Sequence, residues 1–344
     1  MSLRRVWHEA HFARAWWQQA EEATPPDIVL TPIPTLDVAR RAVSYGLRHS
    51  VPVLVDIRDE WPEEFVDLAP SVLRPLARLA LAPKFRDAGF ICRNATGIIG
   101  TGRRHLEYGL RYAGRNARRA DAVIPFGYPD GPHVESAEMA AARRWWRELG
   151  IDTSTFIVCF FGTIGRFFDL DTVIEAATRL NDEGHFQFVL CGEGSEKKRL
   201  SRAARKVRSV LFPGWIDAPR IAALMDMASA GLCPYKVGAR MALPNKPIEY
   251  LAGSLPIVSS LTGEVAELLE ETGCGLTYQA DSAVDLVSAL RRLHSDVEGR
   301  QRMGARGRAL FEKEFRLQVV ADRLLHQFET ARAVANGAEA PLTW

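Results

Sequence analysis

Ten short apolar runs, rich in β-branched residues, alternate along this chain with longer stretches of helical period, and that alternation leaves few folds open. Four runs come first: DIVLT (27–31), VPVLVDI (51–57), ATGIIG (95–100) and DAVIPF (121–126). Six follow: TFIVCFFG (155–162), FQFVLCG (186–192), SVLFPG (209–214), SAGLCP (229–234), PIVSS (256–260) and CGLTYQ (274–279). Near-continuous apolar strands joined by amphipathic segments such as 36–49, 170–181 and 282–293 predict parallel strands covered by helices on both faces. The fold class is therefore α/β, doubly wound, and at 344 residues built twice over.

Composition places the join. The stretch FGYPDGPHVES (126–136) carries Pro, Gly and acidic residues without helical period and reads as a linker. The expected domains are 1–133, 134–314, and a closing segment 315–344, in which 315–335 forms a long amphipathic helix and the residues beyond Asn336 fray. About 25 helix-like residues precede the first strand, where a doubly wound domain opens on a strand and a glycine loop. Either the first domain is abbreviated or its opening strand is missing from this chain.

A formal charge of +2 argues against a nucleic-acid partner. Charge does cluster locally: 103–119 holds six Arg against one acid, and 197–208 holds seven Lys or Arg. These are solvated helix faces on one reading and attraction to an anionic membrane surface or polyanionic substrate on the other. Five cysteines without paired spacing predict neither a disulfide scaffold nor a zinc site, and suit a reducing cytosol. No apolar run is long enough to span a bilayer and the charged N-terminus does not resemble a signal peptide, so a cytoplasmic protein with at most peripheral membrane contact is expected.

Two elements carry candidate chemistry. FFGTIGRFFDLDTVIEAA (160–177) is a strand, a glycine-bearing loop and a helix. Gly162 and Gly165 permit tight turning and close backbone approach, the helix would offer its free amides to an anion, and Arg166 would fork onto phosphate oxygens. The alternative is a plain connection with a surface Arg. In ALPNKPIEYLAGSLPIVSS (242–260), Pro244 and Pro247 set a helix start, with Lys246 just before it and Glu249 in its first turn. A carboxylate there complements the dipole, and it is also placed to accept hydrogen bonds from a ribose diol. FVLCGEGSEKKRL (188–200) lacks the third glycine and acidic partner of a dinucleotide fingerprint, so Gly192 and Gly194 read as turn residues. At the end of VLVDIRDEWPEEF (53–65), Arg58 and Asp59 reach a strand lip, where they either act or simply pair with each other or cap the next helix.

Together these segments resemble the retaining GT-B glycosyltransferases of family GT4, in the subgroup that builds bacterial polysaccharides or lipid-linked oligosaccharides. The resemblance covers nearly all of the chain and is most specific over 160–279, with PPDIVLTPIPT and VPVLVDIRDEWPE also similar. It implies a central cleft between two Rossmann-like domains. It implies a UDP- or GDP-sugar donor, a glycan or lipid-linked acceptor, and no metal or other cofactor. Arg166 and Lys246 would hold the diphosphate; Glu249 would bind the ribose; Trp215 and Ile216 would contact the base. Asn245 and Glu264 match donor-side positions, with Gly162 and Gly165 beside them. Arg58 or Asp59 stands where many relatives place a catalytic His. One departure is Met241, where relatives often carry the first of two glutamates eight apart, Glu249 being the second. That departure and the short start keep open a non-catalytic homologue that binds nucleotide sugar as a partner subunit; an epimerase on the same fold lacks its expected His and acid constellation.

Overall fold

The computed structural model describes residues 3–130 and 135–337. Each of the ten apolar runs overlaps a strand, the first of which runs two residues further than expected, to Ile33. The chain divides into two compact units, Met1–Pro125 with Val320–Trp344, and Phe126–Val319. The join expected at 133/134 falls among residues 131–134, outside the described residues, as do the tail residues 338–344.

In the first unit β1 (Val29–Ile33), β2 (Val53–Ile57), β3 (Gly97–Gly100) and β4 (Ala122–Val123) form a parallel sheet in sequence order. Side chains alternate between its faces, as a period of two requires. Val53, Val55 and Ile57 of β2 and Ile98 of β3 share one core with Val43, Ile91 and Tyr108 from the covering helices. Leu54 and Ile99 point the other way, against Val320 and Ala331 of the helix Leu317–Ala335. That closing helix is thus the second layer of the first sheet. Gln327 Nε2 fastens it to the Arg119 carbonyl at 3.3 Å. The described part of the sheet opens at β1, which the helix Leu3–Glu22 precedes.

The second unit holds β5 (Phe156–Phe161), β6 (Phe186–Cys191), β7 (Val210–Gly214), β8 (Ala230–Cys233), β9 (Ile257–Ser259) and β10 (Gly275–Thr277). All neighbours are parallel, in the order β10-β9-β8-β5-β6-β7. Renumbered from its own first strand, this is the 3-2-1-4-5-6 order of a dinucleotide-binding sheet, which reverses direction between β5 and β8. Ile157, Cys159 and Phe161 enter one core and Phe156, Val158 and Phe160 the other, so both faces of β5 are dry. The helix Ser136–Glu148 inserts Trp146, fully buried, whose indole N–H donates to the Arg220 carbonyl at 2.9 Å. Burying roughly 200 Å² of indole stabilises by about 5 kcal/mol at most. All five cysteines are buried thiols, packed as small apolar groups.

Candidate active site

In an open α/β sheet, ligands bind beyond the strand C-termini at the reversal point. In the second unit that place holds a cavity of about 450 Å³. Its walls are the residues following β5, β6 and β7 together with the first turn of the helix Asn245–Ala252.

Glycines let the three loop backbones meet. A Cβ on Gly192 would lie 1.8 Å from the Gly162 carbonyl oxygen, and Gly192 itself has φ +134°, which disfavours other residues. The Gly162 N–H donates to the Cys191 carbonyl at 3.1 Å, and the Gly192 N–H to the Gly214 carbonyl at 2.7 Å. The Ile164 N–H, donating to the Glu193 carbonyl at 2.8 Å, extends the seam. So Gly192, read from sequence as a turn residue, is also what allows the β5 and β6 ends to close on each other.

The fourth wall is a helix fixed from below. Tyr250 is buried beneath it, its hydroxyl donating to the Leu232 carbonyl at 3.1 Å, and its ring lies where any side chain at Gly231 would stand. Arg308 donates to the Ala252 carbonyl at 2.9 Å and closes the other end. Lys246 lies inside the first turn of this helix rather than before it, because the helix starts at Asn245 behind Pro244. No side chain caps that N-terminus, so its leading amides and the positive end of its dipole are left for an anion.

The other expected anion-binding helix is closed. The buried carboxylate of Asp169 caps the helix Leu170–Leu180, accepting from the Thr172 N–H at 3.3 Å, and its second oxygen accepts from the Asp281 N–H at the same distance. An acid already occupies the place a phosphate would take. The reading that the helix after the glycine loop offers free amides is corrected on that ground.

Lys246 and Glu249, three apart, share one helix face lining the cavity. The Lys246 ammonium sits between two aromatic rings, 4.7 Å from the centroid of Phe168 and 5.2 Å from that of Phe160. Burial pulls its pKa below the usual lysine range, with the Glu249 carboxylate opposing. Burial likewise raises the Glu249 pKa against the pull of Lys246. Among the described residues no carboxylate lies within ion-pairing distance of Lys246. An ammonium held by ring faces and lacking a counter-ion is a strong attractor for an added anion.

Gly162, Trp215, Ile216 and Asn245 line the same cavity. Trp215 is 72% exposed, a large ring at the rim without a covering residue, while Ile216 beside it is buried. Gly165, Arg166 and Glu264 are not among the lining residues. Arg166 projects from the loop after β5 with its guanidinium 5.4 Å from the Phe167 ring, and among the described residues no hydrogen-bond acceptor holds it. Glu264 opens the helix Glu264–Thr272 behind Gly263. Arg58 and Asp59 belong to the first unit. Arg58 Nε donates to Asp56 Oδ2 at 2.6 Å, and burial raises the Asp59 pKa against the pull of Arg58. Next to them, the buried Glu60 takes a two-pronged hydrogen bond from Arg104 at 2.6 and 3.0 Å. Glu193, Thr163 and Ile221 line the cavity and escaped the sequence reading, as did Phe160 and Phe168, whose rings hold the Lys246 ammonium. Phe160 and Phe168 were legible as aromatics bracketing the glycine loop, whereas Glu193 carried no local signal. Among the described residues no group of three His, Cys, Asp or Glu is placed to hold a metal ion.

Residues 155–296, which contain every wall of the cavity, match the family of glycosyl transferases group 1. Over this segment the chain is similar to the group 1 glycosyl transferases. The chain is 32% identical over 166 residues to the putative colanic acid biosynthesis glycosyl transferase WcaI of Escherichia coli K12, covering 46% of this chain and 40% of that one. It is 25% identical over 210 residues to the alpha-D-kanosaminyltransferase of Streptomyces kanamyceticus, covering 60% and 53%. The chain thus spans about half the length of the curated relatives it matches. Anabaena Alr3699/HepE, solved in complex with UDP, superposes with a TM-score of 0.71 at 14% identity, over 92% of this chain and 82% of that one. At that identity the likeness is one of fold, the GT-B fold with its two Rossmann-like domains.

Proposed function

We propose that the protein is a metal-independent retaining glycosyltransferase, moving a sugar from a UDP- or GDP-sugar to a glycan or lipid-linked acceptor at the cytoplasmic face of a membrane. One observation carries the reading: an uncapped helix start presents Lys246 and Glu249 together in a cavity floored by glycines. A diphosphate set against that helix start meets amides, the ammonium and the dipole at once. Glu249, one turn on, accepts from the ribose hydroxyls, and the Trp215–Ile216 edge takes the base. Asn245, Gly162, Gly165 and Glu264 complete the donor side.

The bond that breaks joins the anomeric carbon to the distal phosphate oxygen, and the bond that forms joins the same carbon to the acceptor oxygen on the same face. Charge grows on the departing phosphate, where Lys246 and Arg166 neutralise it. The acceptor proton passes to that phosphate oxygen. Arg58 and Asp59, at the lip of the first unit, are assigned to the transferred sugar.

The test is release of UDP or GDP by the purified protein across a panel of nucleotide sugars, with and without acceptor glycans. Turnover of one donor supports the enzyme. Micromolar nucleotide affinity without turnover of any donor would favour the non-catalytic homologue, in line with Met241 standing exposed where a glutamate is common. Absence of nucleotide affinity would sink both.

A second measurement addresses the ribose. Glu249→Gln is expected to weaken UDP or GDP binding by about tenfold, as loss of a charge-assisted hydrogen bond pair implies. The unaltered protein is expected to bind the 3′-deoxy analogue more weakly than the ribonucleotide, and the variant should not distinguish the two. Full discrimination by the variant would remove Glu249 from the ribose.

A further inference from the structure

Both basic stretches singled out in the sequence are partly spent within the fold. Arg104 pairs with Glu60, Arg115 with the buried Asp121, Lys197 with Glu193, and Arg199 with Asp171 and Glu196. A different surface of the first unit is anomalous. Of twenty large hydrophobic side chains exposed among the described residues, five fall within twelve positions: Leu68, Val72, Leu73, Leu76 and Leu79. Leu68 ends the helix Glu63–Asp67, and the other four belong to one short helical stretch, Ser71–Leu73 running into Arg74–Ala80, neither piece of which buries a single residue. Val72, Leu76 and Leu79 follow the i, i+4, i+7 spacing of one helix face. The usual globular arrangement is inverted here, with the apolar stripe turned away from the core. Val72 is 81% exposed and Leu79 73%.

Charge identifies what covers this stripe. Between Asp67 and Asp87 the sequence holds Arg74, Arg78, Lys84 and Arg86 and no acid. Lys84 is paired with Asp37 and Arg78 lies over the Phe85 ring at 4.6 Å, while Arg86 is exposed. Arg74 also reaches Asp67 at 3.8 Å, so Arg78 and Arg86 are the cations of the segment without a carboxylate partner among the described residues. An apolar stripe flanked by basic side chains is the composition of a helix that lies in the headgroup layer of an anionic bilayer. No helix among the described residues is long and apolar enough to cross a membrane, so contact here is from the surface.

We infer that residues 68–79 are a membrane-docking ridge, seating the first unit on anionic phospholipid with its leucines in the acyl boundary and its arginines at the phosphates. The ridge follows β2 by way of Arg58 and Asp59, only nine residues after the lip at Asp59, so the lip lies close to the lipid surface along the chain. This deepens the peripheral-contact part of the proposed function. It is read without any nucleotide, so its failure leaves the donor site untouched.

The test is co-sedimentation of the full chain with vesicles of phosphatidylcholine doped with phosphatidylglycerol, against phosphatidylcholine alone. Binding to the anionic vesicles is expected, weakening as salt rises. Leu76→Asp with Leu79→Asp is expected to lower partitioning by about tenfold or more, with the thermal unfolding temperature unchanged because both side chains are exposed. Leu47→Asp, an exposed leucine elsewhere in the unit, should bind as the unaltered protein does. Three results overturn the inference. The first is a wild-type protein that ignores anionic vesicles. The second is a double variant that binds them equally well. The third is a dimer, by light scattering, that the double variant splits while vesicle binding is absent.

Discussion

Lys246→Met is expected to lower affinity for UDP or GDP by about a hundredfold, and calorimetric titration would measure it. One hydrogen bond to a charged group is worth about 1.5–3 kcal/mol, and here it is made where solvent is partly excluded. The same substitution should leave the unfolding temperature unchanged or raise it. Burial already penalises the ammonium, so an apolar side chain of similar length between Phe160 and Phe168 removes a cost to the fold. Opposite movement of binding and stability distinguishes a ligand-directed lysine from a structural one. Lys246→Arg is not expected to restore affinity, since a Cβ built on Gly162 already approaches the lysine Nζ to 2.4 Å and a planar guanidinium needs more room. Unchanged nucleotide affinity in Lys246→Met would end the site assignment.

Gly192→Ala is expected to be the most damaging methyl group that can be added to the second unit. It meets a carbonyl oxygen at 1.8 Å and forces alanine to φ +134°. Backbone strain of roughly 1–3 kcal/mol adds to an overpacking cost of similar size. For a unit of this size about 3 kcal/mol lowers the unfolding midpoint by roughly 6–12 °C. Gly184→Ala is the matched comparison: its φ is +72°, yet nothing lies within 4 Å of the added carbon, so only the backbone component of about 1 kcal/mol applies. Scanning calorimetry that found equal losses at the two positions would contradict the close approach of the β5 and β6 loops. Nucleotide binding should fall with Gly192→Ala as well, because the displaced loop carries the cavity floor.

The central strands were legible because they are apolar on both faces, which leaves runs of Val, Ile, Phe and Cys such as Phe156–Phe161, Phe186–Cys191 and Val53–Ile57. The helices Glu63–Asp67 to Ala82–Asn94 were not, for a reason the structure makes plain: Leu76 and Leu79 face outward, so the period of the apolar residues does not report a buried side. Ser136–Glu148 was hidden by its neighbourhood, since the Pro- and Gly-rich stretch before it suggested irregular chain up to its first residue. In the cavity, Lys246 and Glu249 stood out because Pro244 and Pro247 mark a helix start, and three-residue spacing puts both on one side. Asp169 did not. An acid before a helix is equally a cap or a bystander, and only the position of the Thr172 amide decides. Arg58 teaches the converse. Arg58 follows directly on β2 and, two residues after Asp56, continues its alternation, so a pairing with Asp56 was open to the sequence reading beside the one with Asp59.

The helix Leu317–Ala335 has a consequence for biosynthesis. The first sheet is finished on one side by residues synthesised after the second unit, so Leu54 and Ile99 stay without that cover while the intervening unit is being made. At ribosomal rates of about 5–20 residues per second, that wait lasts on the order of ten to forty seconds. A nascent chain with an uncovered sheet face is a natural client for a holding chaperone, and a fragment ending before Val320 would carry the same bare face permanently.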